Sequence, residues 1–297
     1  MMKELRGTGV ALVTPFTENG SVDVAALSSI VRHCQDGGVD YLVALGTTAE
    51  SVTLTQEEKQ LVLDTIVVAN NNELPLVVGV GGNNTYGVVA QLKGMDLSDF
   101  DAILSVTPYY NRPTQEGIYQ HFKAISEASP LPIILYNVPG RTGSNMLPST
   151  TIRLASDFDN IVAVKEACGN MVQILELLQT KPTDFMLLSG DDITALATIL
   201  AGGDGVISVI GQGVPQEFSK MVRLALEGNT KEAHALHYLL QDGMNLIFEE
   251  GNPAGIKALI EIIGLSGAEV RLPLIVASPE LKKKIGLFLH SLSRIHA

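Results

Sequence analysis

A chain of 297 residues in which 46% of side chains are hydrophobic can bury a large core, which excludes intrinsic disorder. A net charge of −12 repels nucleic-acid backbones and anionic membranes, so neither is expected as a partner. Cys34 and Cys168 form no CxxC or Cys/His metal spacing, residues 1–9 hold no apolar core of signal-peptide length, and no apolar stretch approaches the ~18 residues of a membrane span, so a soluble cytoplasmic protein is expected.

In chain order, the first apolar run is 10–13, followed by a helical pattern. Asp23 stands at its start, Val24, Leu27, Ile30, Val31 and Cys34 follow helical spacing, and Gly37-Gly38 stops it. A second run, 41–45, precedes Thr55-Gln-Glu-Glu58, which reads as a capping box opening a helix with Leu61, Val62, Leu63 and Ile66. Further runs stand at 76–80, 102–106, 133–136, 161–165, 186–188 and 206–209. The eight runs are rich in Val, Ile and Leu without strict alternation, as suits strands of a parallel sheet buried on both faces. Their starts lie roughly 20 to 35 residues apart, the spacing of repeated βα units with right-handed crossovers. Eight such units with no edge-strand signal predict a closed (β/α)8 TIM barrel over residues 1–215. From Pro215 helical periodicity dominates, broken at Gly228, Gly251-Asn252-Pro253 and Leu272-Pro273. Residues 216–297 are therefore expected as a C-terminal helical extension packed on the barrel, with no flexible linker between the two.

Catalytic groups of such barrels sit at the C-terminal ends of strands. Lys165 ends the sixth run and Tyr136 the fifth, Thr47 and Thr48 follow the second, and Tyr109 and Tyr110 follow the fourth. A lysine amine in water titrates near ~10.4, whereas a nucleophilic amine works best near ~7–8, and burial can supply the difference of about 4 kcal/mol. A neutral lysine can attack a ketone and form an imine. The alternative is an ammonium that reaches solvent past the strand end, and Tyr136 by itself fits an ordinary half-buried tyrosine. The hydroxyls gathered at neighbouring strand ends favour imine chemistry, which needs protons shuttled.

Other patterns have plainer readings. His234-x-x-His237 places two imidazoles on one helix face without an acidic ligand at matching spacing, and reads as an exposed or packed pair. Gly202-Gly-Asp-Gly205 reads as a tight turn before a strand, and Gly79-Val-Gly-Gly82 is no dinucleotide fingerprint because its third glycine falls at the wrong spacing. The acids of Gly190-Asp-Asp192 are placed to cap the next helix. Neither a metal nor a nucleotide cofactor is expected.

Four motifs at strand ends carry a resemblance: Gly46-Thr-Thr-Ala-Glu-Ser51, Val106-Thr-Pro-Tyr-Tyr-Asn-Arg-Pro113, Tyr136-Asn-Val-Pro-Gly-Arg-Thr-Gly143 and Val164-Lys-Glu-Ala167. In type and order they resemble the 4-hydroxy-tetrahydrodipicolinate (dihydrodipicolinate) synthases, of a superfamily that includes N-acetylneuraminate lyase, over about residues 7–264. The resemblance implies condensation of pyruvate with L-aspartate 4-semialdehyde, a step towards diaminopimelate and lysine, with no cofactor beyond a covalent Schiff base on Lys165. By the same resemblance Tyr136 relays protons to and from the imine, with Thr47 and Tyr110 as relay partners, Tyr110 coming from the neighbouring subunit. Thr48 would hold the pyruvate carboxylate, Ile207 in Gly205-Val-Ile-Ser208 would offer a backbone contact to pyruvate, and Arg141 would take the carboxylate of the semialdehyde. The implied assembly is a homotetramer of two tight dimers.

Some positions depart from the family pattern. Ala49 replaces the common glycine, a one-methyl change beside the pyruvate site, and Asn252-Pro-Ala-Gly-Ile-Lys257 departs from NPxPxK in the extension, where it is expected to bear on assembly more than catalysis. Many family members bind lysine as an inhibitor at the dimer interface. Ser51, Asn83 and Tyr109 match parts of that site, but Gly87 stands where sensitive members carry a glutamate, and Gln56 and Lys59 stand where they carry histidines. Weak or absent inhibition by lysine is therefore expected. Two rival readings stay open. A sugar-acid aldolase would use the same imine but would want neutral hydrogen bonds where Arg141 offers a guanidinium. A non-catalytic pyruvate-binding protein would need no relay of Thr47, Tyr110 and Tyr136.

Overall fold

The structure, a computed structural model, describes residues 5–293. Eight strands, β1 (Gly7–Ala11), β2 (Tyr41–Ala44), β3 (Leu76–Gly79), β4 (Ala102–Val106), β5 (Ile133–Asn137), β6 (Ile161–Glu166), β7 (Met186–Ser189) and β8 (Gly205–Ser208), pair in sequence order. All pairs are parallel, and β8 closes on β1, so the expected TIM barrel forms. Helices α1 (Val24–Asp36), α2 (Gln56–Asn70), α3 (Thr85–Gly94), α4 (Gln115–Ala128), α5 (Pro139–Thr142), α6 (Pro148–Asp157), α7 (Met171–Thr180) and α8 (Asp192–Leu200) lie between strands, and α9 (Pro215–Leu226), α10 (Thr230–Glu249), α11 (Ala254–Ile262) and α12 (Pro279–Ser293) follow.

The local signals act as read. Asp23 caps α1 by accepting from Ala26 N–H, and Thr55 and Glu58 form the complete capping box of α2. The strand runs split into two apolar clusters by alternation. On β5, Ile133 and Leu135 face the helices, whereas Ile134 and Tyr136 face the barrel interior. The interior cluster also takes Tyr41, Val43, Leu104, Leu188 and Ile207.

β1 and β8 start earlier than their apolar runs. Gly7 pairs with Gly205, and a Cβ on Gly205 would stand 2.1 Å from the Gly7 carbonyl oxygen. The backbones close the barrel there only because Gly205 has no side chain, and a Cβ on Gly7 would meet the Asp40 carboxylate at 2.2 Å; an apolarity reading overlooks such a pair.

Pro215, where the extension is expected to begin, opens α9, the helix that follows β8 and packs on α1, α8, α10 and strand β1. One hydrophobic cluster runs from Val10 in the barrel to Leu292 in α12. Among the described residues no helix is long and apolar enough to cross a membrane.

Candidate active site

The decisive local event is a register shift between β5 and β6. Ile133 pairs with Ile161, but Ile134 pairs with Ala163, so Val162 is an extra residue. A one-residue insertion reverses which face the following side chains take. Val162 and Ala163 both join the interior cluster, Val164 turns outward, and Lys165 turns into the barrel opposite Tyr136. Without the bulge Lys165 would point at the helices. Lys165 is 5% exposed, and its Nζ lies 4.4 Å from the centre of the Tyr136 ring.

Glu166, the next residue, consequently faces outward. Its carboxylate accepts from Asn137 Nδ2, Gln173 Nε2 and Cys168 N–H. Burial pushes its carboxyl above the ordinary range against these donors. The set ties the ends of β5 and β6 together and leaves Lys165 outside the ion pairs formed among the described residues.

A cavity of about 530 Å³ opens at the mouth, lined in part by Thr47, Ser51, Lys59, Tyr109, Tyr136 and Arg141. Its ionic lining is cationic, Lys59 and Arg141, although the whole chain carries −12. Thr47 and Thr48 sit in a single 3-10 turn, Thr47–Ala49, directly after β2. Thr47 faces the cavity, while Thr48 is 3% exposed and its Oγ1 accepts from Asn252 Nδ2 at 3.0 Å. Ala49, the family departure, is buried, and its carbonyl accepts from Thr14 Oγ1 at 2.8 Å. Arg141 comes from the four-residue helix α5 and donates from Nη2 to the Asn252 carbonyl at 3.3 Å. Ile207 on β8 packs with Tyr136 in the barrel interior.

Tyr110 is not drawn into this group within one chain. It has φ +72°, its side chain is 89% exposed, and only its N–H is tied in, to the Thr142 carbonyl at 3.2 Å. Tyr109 lines the cavity instead.

Two expectations change. The segment 252–257 is expected to bear on assembly more than catalysis, yet Asn252 touches both Thr48 and Arg141, and Lys257 pairs with Glu50 of the loop after β2. These contacts join residues more than 100 positions apart, and no local pattern reveals them. Asp191 occupies the cap position of α8 but makes no capping bond. Asp192 turns away from the helix start and accepts from Val209 and Ile210 N–H, holding the loop after β8. Burial pushes its carboxyl up to about 6. The histidines read as a packed or exposed pair do sit on α10, where His234 Nδ1 bonds the Thr230 carbonyl oxygen.

Fold and site together define a barrel enzyme of the aldolase-type lyase class. Residues 4–291 match the dihydrodipicolinate synthetase family, and the chain belongs to that family. It is 59% identical over 293 residues to the 4-hydroxy-tetrahydrodipicolinate synthase of Flavobacterium psychrophilum, covering 99% of this chain and 100% of the relative. Among solved structures, the chloride-inhibited dihydrodipicolinate synthase of Acinetobacter baumannii complexed with pyruvate has a TM-score of 0.93 at 38% identity, covering 97% of this chain and 99% of that one. The dihydrodipicolinate synthase of Cyanidioschyzon merolae with lysine bound has a TM-score of 0.93 at 35% identity, covering 98% and 99%.

Proposed function

We infer that this chain condenses pyruvate with L-aspartate 4-semialdehyde to 4-hydroxy-tetrahydrodipicolinate through an imine on Lys165. The observation that carries the reading is the bulge that turns Lys165 into the barrel beside Tyr136. The Lys165 amine attacks the ketone carbon of pyruvate and water leaves, giving an imine that acidifies the adjacent methyl group. Loss of a methyl proton gives an enamine whose carbon adds to the aldehyde carbon. The amine of the second substrate then adds to the imine carbon, closes the ring and frees Lys165.

Each proton in that sequence needs a carrier, and Tyr136 is the hydroxyl beside the amine. Thr47 lies along the same cavity. Tyr110, exposed in the single chain, completes the relay from a neighbouring copy in a homotetramer. Thr48 takes the pyruvate carboxylate and Ile207 offers its backbone. Arg141 takes the carboxylate of the semialdehyde, and this cationic cavity suits two anionic substrates better than a neutral polyol. The imine carbon serves as the electron sink, so the chemistry calls for no metal or cofactor. The barrel, 1–215, carries the reaction and the extension, 216–297, braces it, in a cytoplasmic enzyme of the diaminopimelate route.

The test is borohydride reduction in the presence of pyruvate. One pyruvate-sized adduct per chain is expected, mapped to Lys165, together with turnover of pyruvate and the semialdehyde. An adduct mapped to another lysine would overturn the assignment.

A further inference from the structure

The extension reaches the loop after β2 through a buried charge cluster that the reaction described above does not use. Glu50 ends the turn carrying Thr47 and Thr48, is 2% exposed, and holds φ +52°, a left-handed conformation uncommon for a residue other than glycine. Its N–H donates to the Thr47 carbonyl at 3.2 Å, so its placement fixes the closing bond of the turn. Its two carboxylate oxygens go to different parts of the extension. Oε1 accepts from Lys257 Nζ at 2.5 Å and Oε2 from Arg271 N–H at 2.9 Å. Lys257, fully buried on α11, also donates to the Glu269 carbonyl at 2.7 Å and stands 4.2 Å from the centre of the Phe16 ring. The Arg271 guanidinium bonds Glu58 and the carbonyls of Thr53 and Gly20.

A buried ion pair is a poor way to gain stability, because removing both charges from water costs as much as their attraction returns. It is a good way to fix geometry, because a misplaced partner leaves a charge buried and unpaired. Here the fixed object is the three-residue turn that presents Thr47 to the cavity and Thr48 Oγ1 to the Asn252 amide. We propose that Glu50 and Lys257 are positioning residues for the pyruvate grip: the extension sets how tightly pyruvate is held without touching it. The proposal rests on the reading that the Thr47–Thr48 turn serves pyruvate.

The experiment compares wild type, Glu50→Gln/Lys257→Met and Glu50→Asp by pyruvate-dependent borohydride trapping at Lys165 and by KM for each substrate. The double variant removes both charges and so leaves no unpaired ion in the core. Its half-saturating pyruvate should rise roughly 10- to 100-fold, the scale of ångström misplacement, with KM for the semialdehyde unchanged. Glu50→Asp keeps the charge but draws the carboxylate back by one methylene, and should show a smaller rise confined to pyruvate. If the double variant does not fold, Glu50→Asp decides. A folded variant with wild-type pyruvate dependence, or with equal rises for both substrates, overturns the proposal. Wild-type protein that traps no pyruvate at Lys165 overturns the functional reading and this proposal with it, whereas normal wild-type trapping beside unaltered variants overturns this proposal alone.

Discussion

The two buried lysines of the described chain lead different lives. Lys257 donates to a carboxylate and to a backbone carbonyl inside the extension. Burial draws its amine down to about 8, against the opposing pull of Glu50. Lys165 is almost as buried, yet it forms no ion pair among the described residues, and its Nζ stands 4.4 Å from the centre of the Tyr136 ring. The carboxylate beside it in sequence, Glu166, is turned to Asn137 and Gln173 on the far side of the sheet. Burial alone therefore does not make a lysine a nucleophile. What matters is whether its acceptors are taken away: alternation along β6 sets Lys165 and Glu166 on opposite faces, and the bulge at Val162 makes Lys165 the one that faces inward.

The sharpest way to break this comparison is to remove each amine in turn. Lys165→Met should abolish pyruvate trapping and reduce turnover by roughly 10⁶-fold, the scale for losing a covalent nucleophile. Lys257→Met should still trap pyruvate at Lys165. A pyruvate adduct on Lys257 in wild-type protein would erase the distinction. Next in size is the partner of Lys165. Tyr136→Phe keeps the ring under the amine but removes the proton carrier, and turnover should fall roughly 10²- to 10⁴-fold. A variant with near wild-type turnover would mean that Tyr136 only packs. Arg141→Ala comes third. Hydrogen bonds to charged groups contribute about 1.5–3 kcal/mol, so KM for the semialdehyde should rise roughly 10- to 150-fold while pyruvate trapping survives. Equal damage to both would assign Arg141 to pyruvate or to holding Asn252.

How much of this was legible in the sequence depended on range. The eight strands could be read because a parallel strand buried on both faces needs a continuous Val/Ile/Leu run, and the caps Asp23 and Thr55 because they act within three residues. Lys165 and Tyr136 could be placed at neighbouring strand ends, but not on the same face. The inserted residue that puts them there is an ordinary valine in an apolar run, and only pairing with β5 identifies it. Gly7 and Gly205 escaped the apolar reading because their value is the absence of a side chain. Glu50 and Lys257 both lie inside legible motifs, yet they are 207 residues apart and meet only when the extension folds over the barrel. Tyr110 is a different case: it lies inside a readable motif, but its ring is exposed in the single chain and does not line the cavity.

The smallest effect concerns a third lysine, the free amino acid. The contrast between Lys257 and Lys165 says that an ammonium group settles where a carboxylate receives it. Among the matching regulatory positions, Ser51, Lys59 and Tyr109 line the mouth cavity and Asn83 Nδ2 donates to the Tyr109 carbonyl at 3.1 Å. The cavity lining holds no carboxylate, and Lys59 is a cation within it. Of the two neighbouring acids that could stand in for the missing glutamate, Glu57 does not line the cavity and Glu58 is committed to Arg271, whose guanidinium holds its carboxyl down at about 2. Gly87 has room for a side chain, since a Cβ there meets nothing closer than 3.4 Å, the Asn84 amide. L-Lysine should therefore inhibit weakly or not at all, whereas Gly87→Glu should restore a partner for the ammonium. One exposed ion pair contributes up to about 1 kcal/mol, so the variant should gain roughly fivefold in sensitivity, reduced at high salt. Titration of activity against L-lysine checks both halves: micromolar inhibition of the wild type would refute the electrostatic reading of the cavity, and a Gly87→Glu variant no more sensitive than wild type would show that position 87 does not face the ligand.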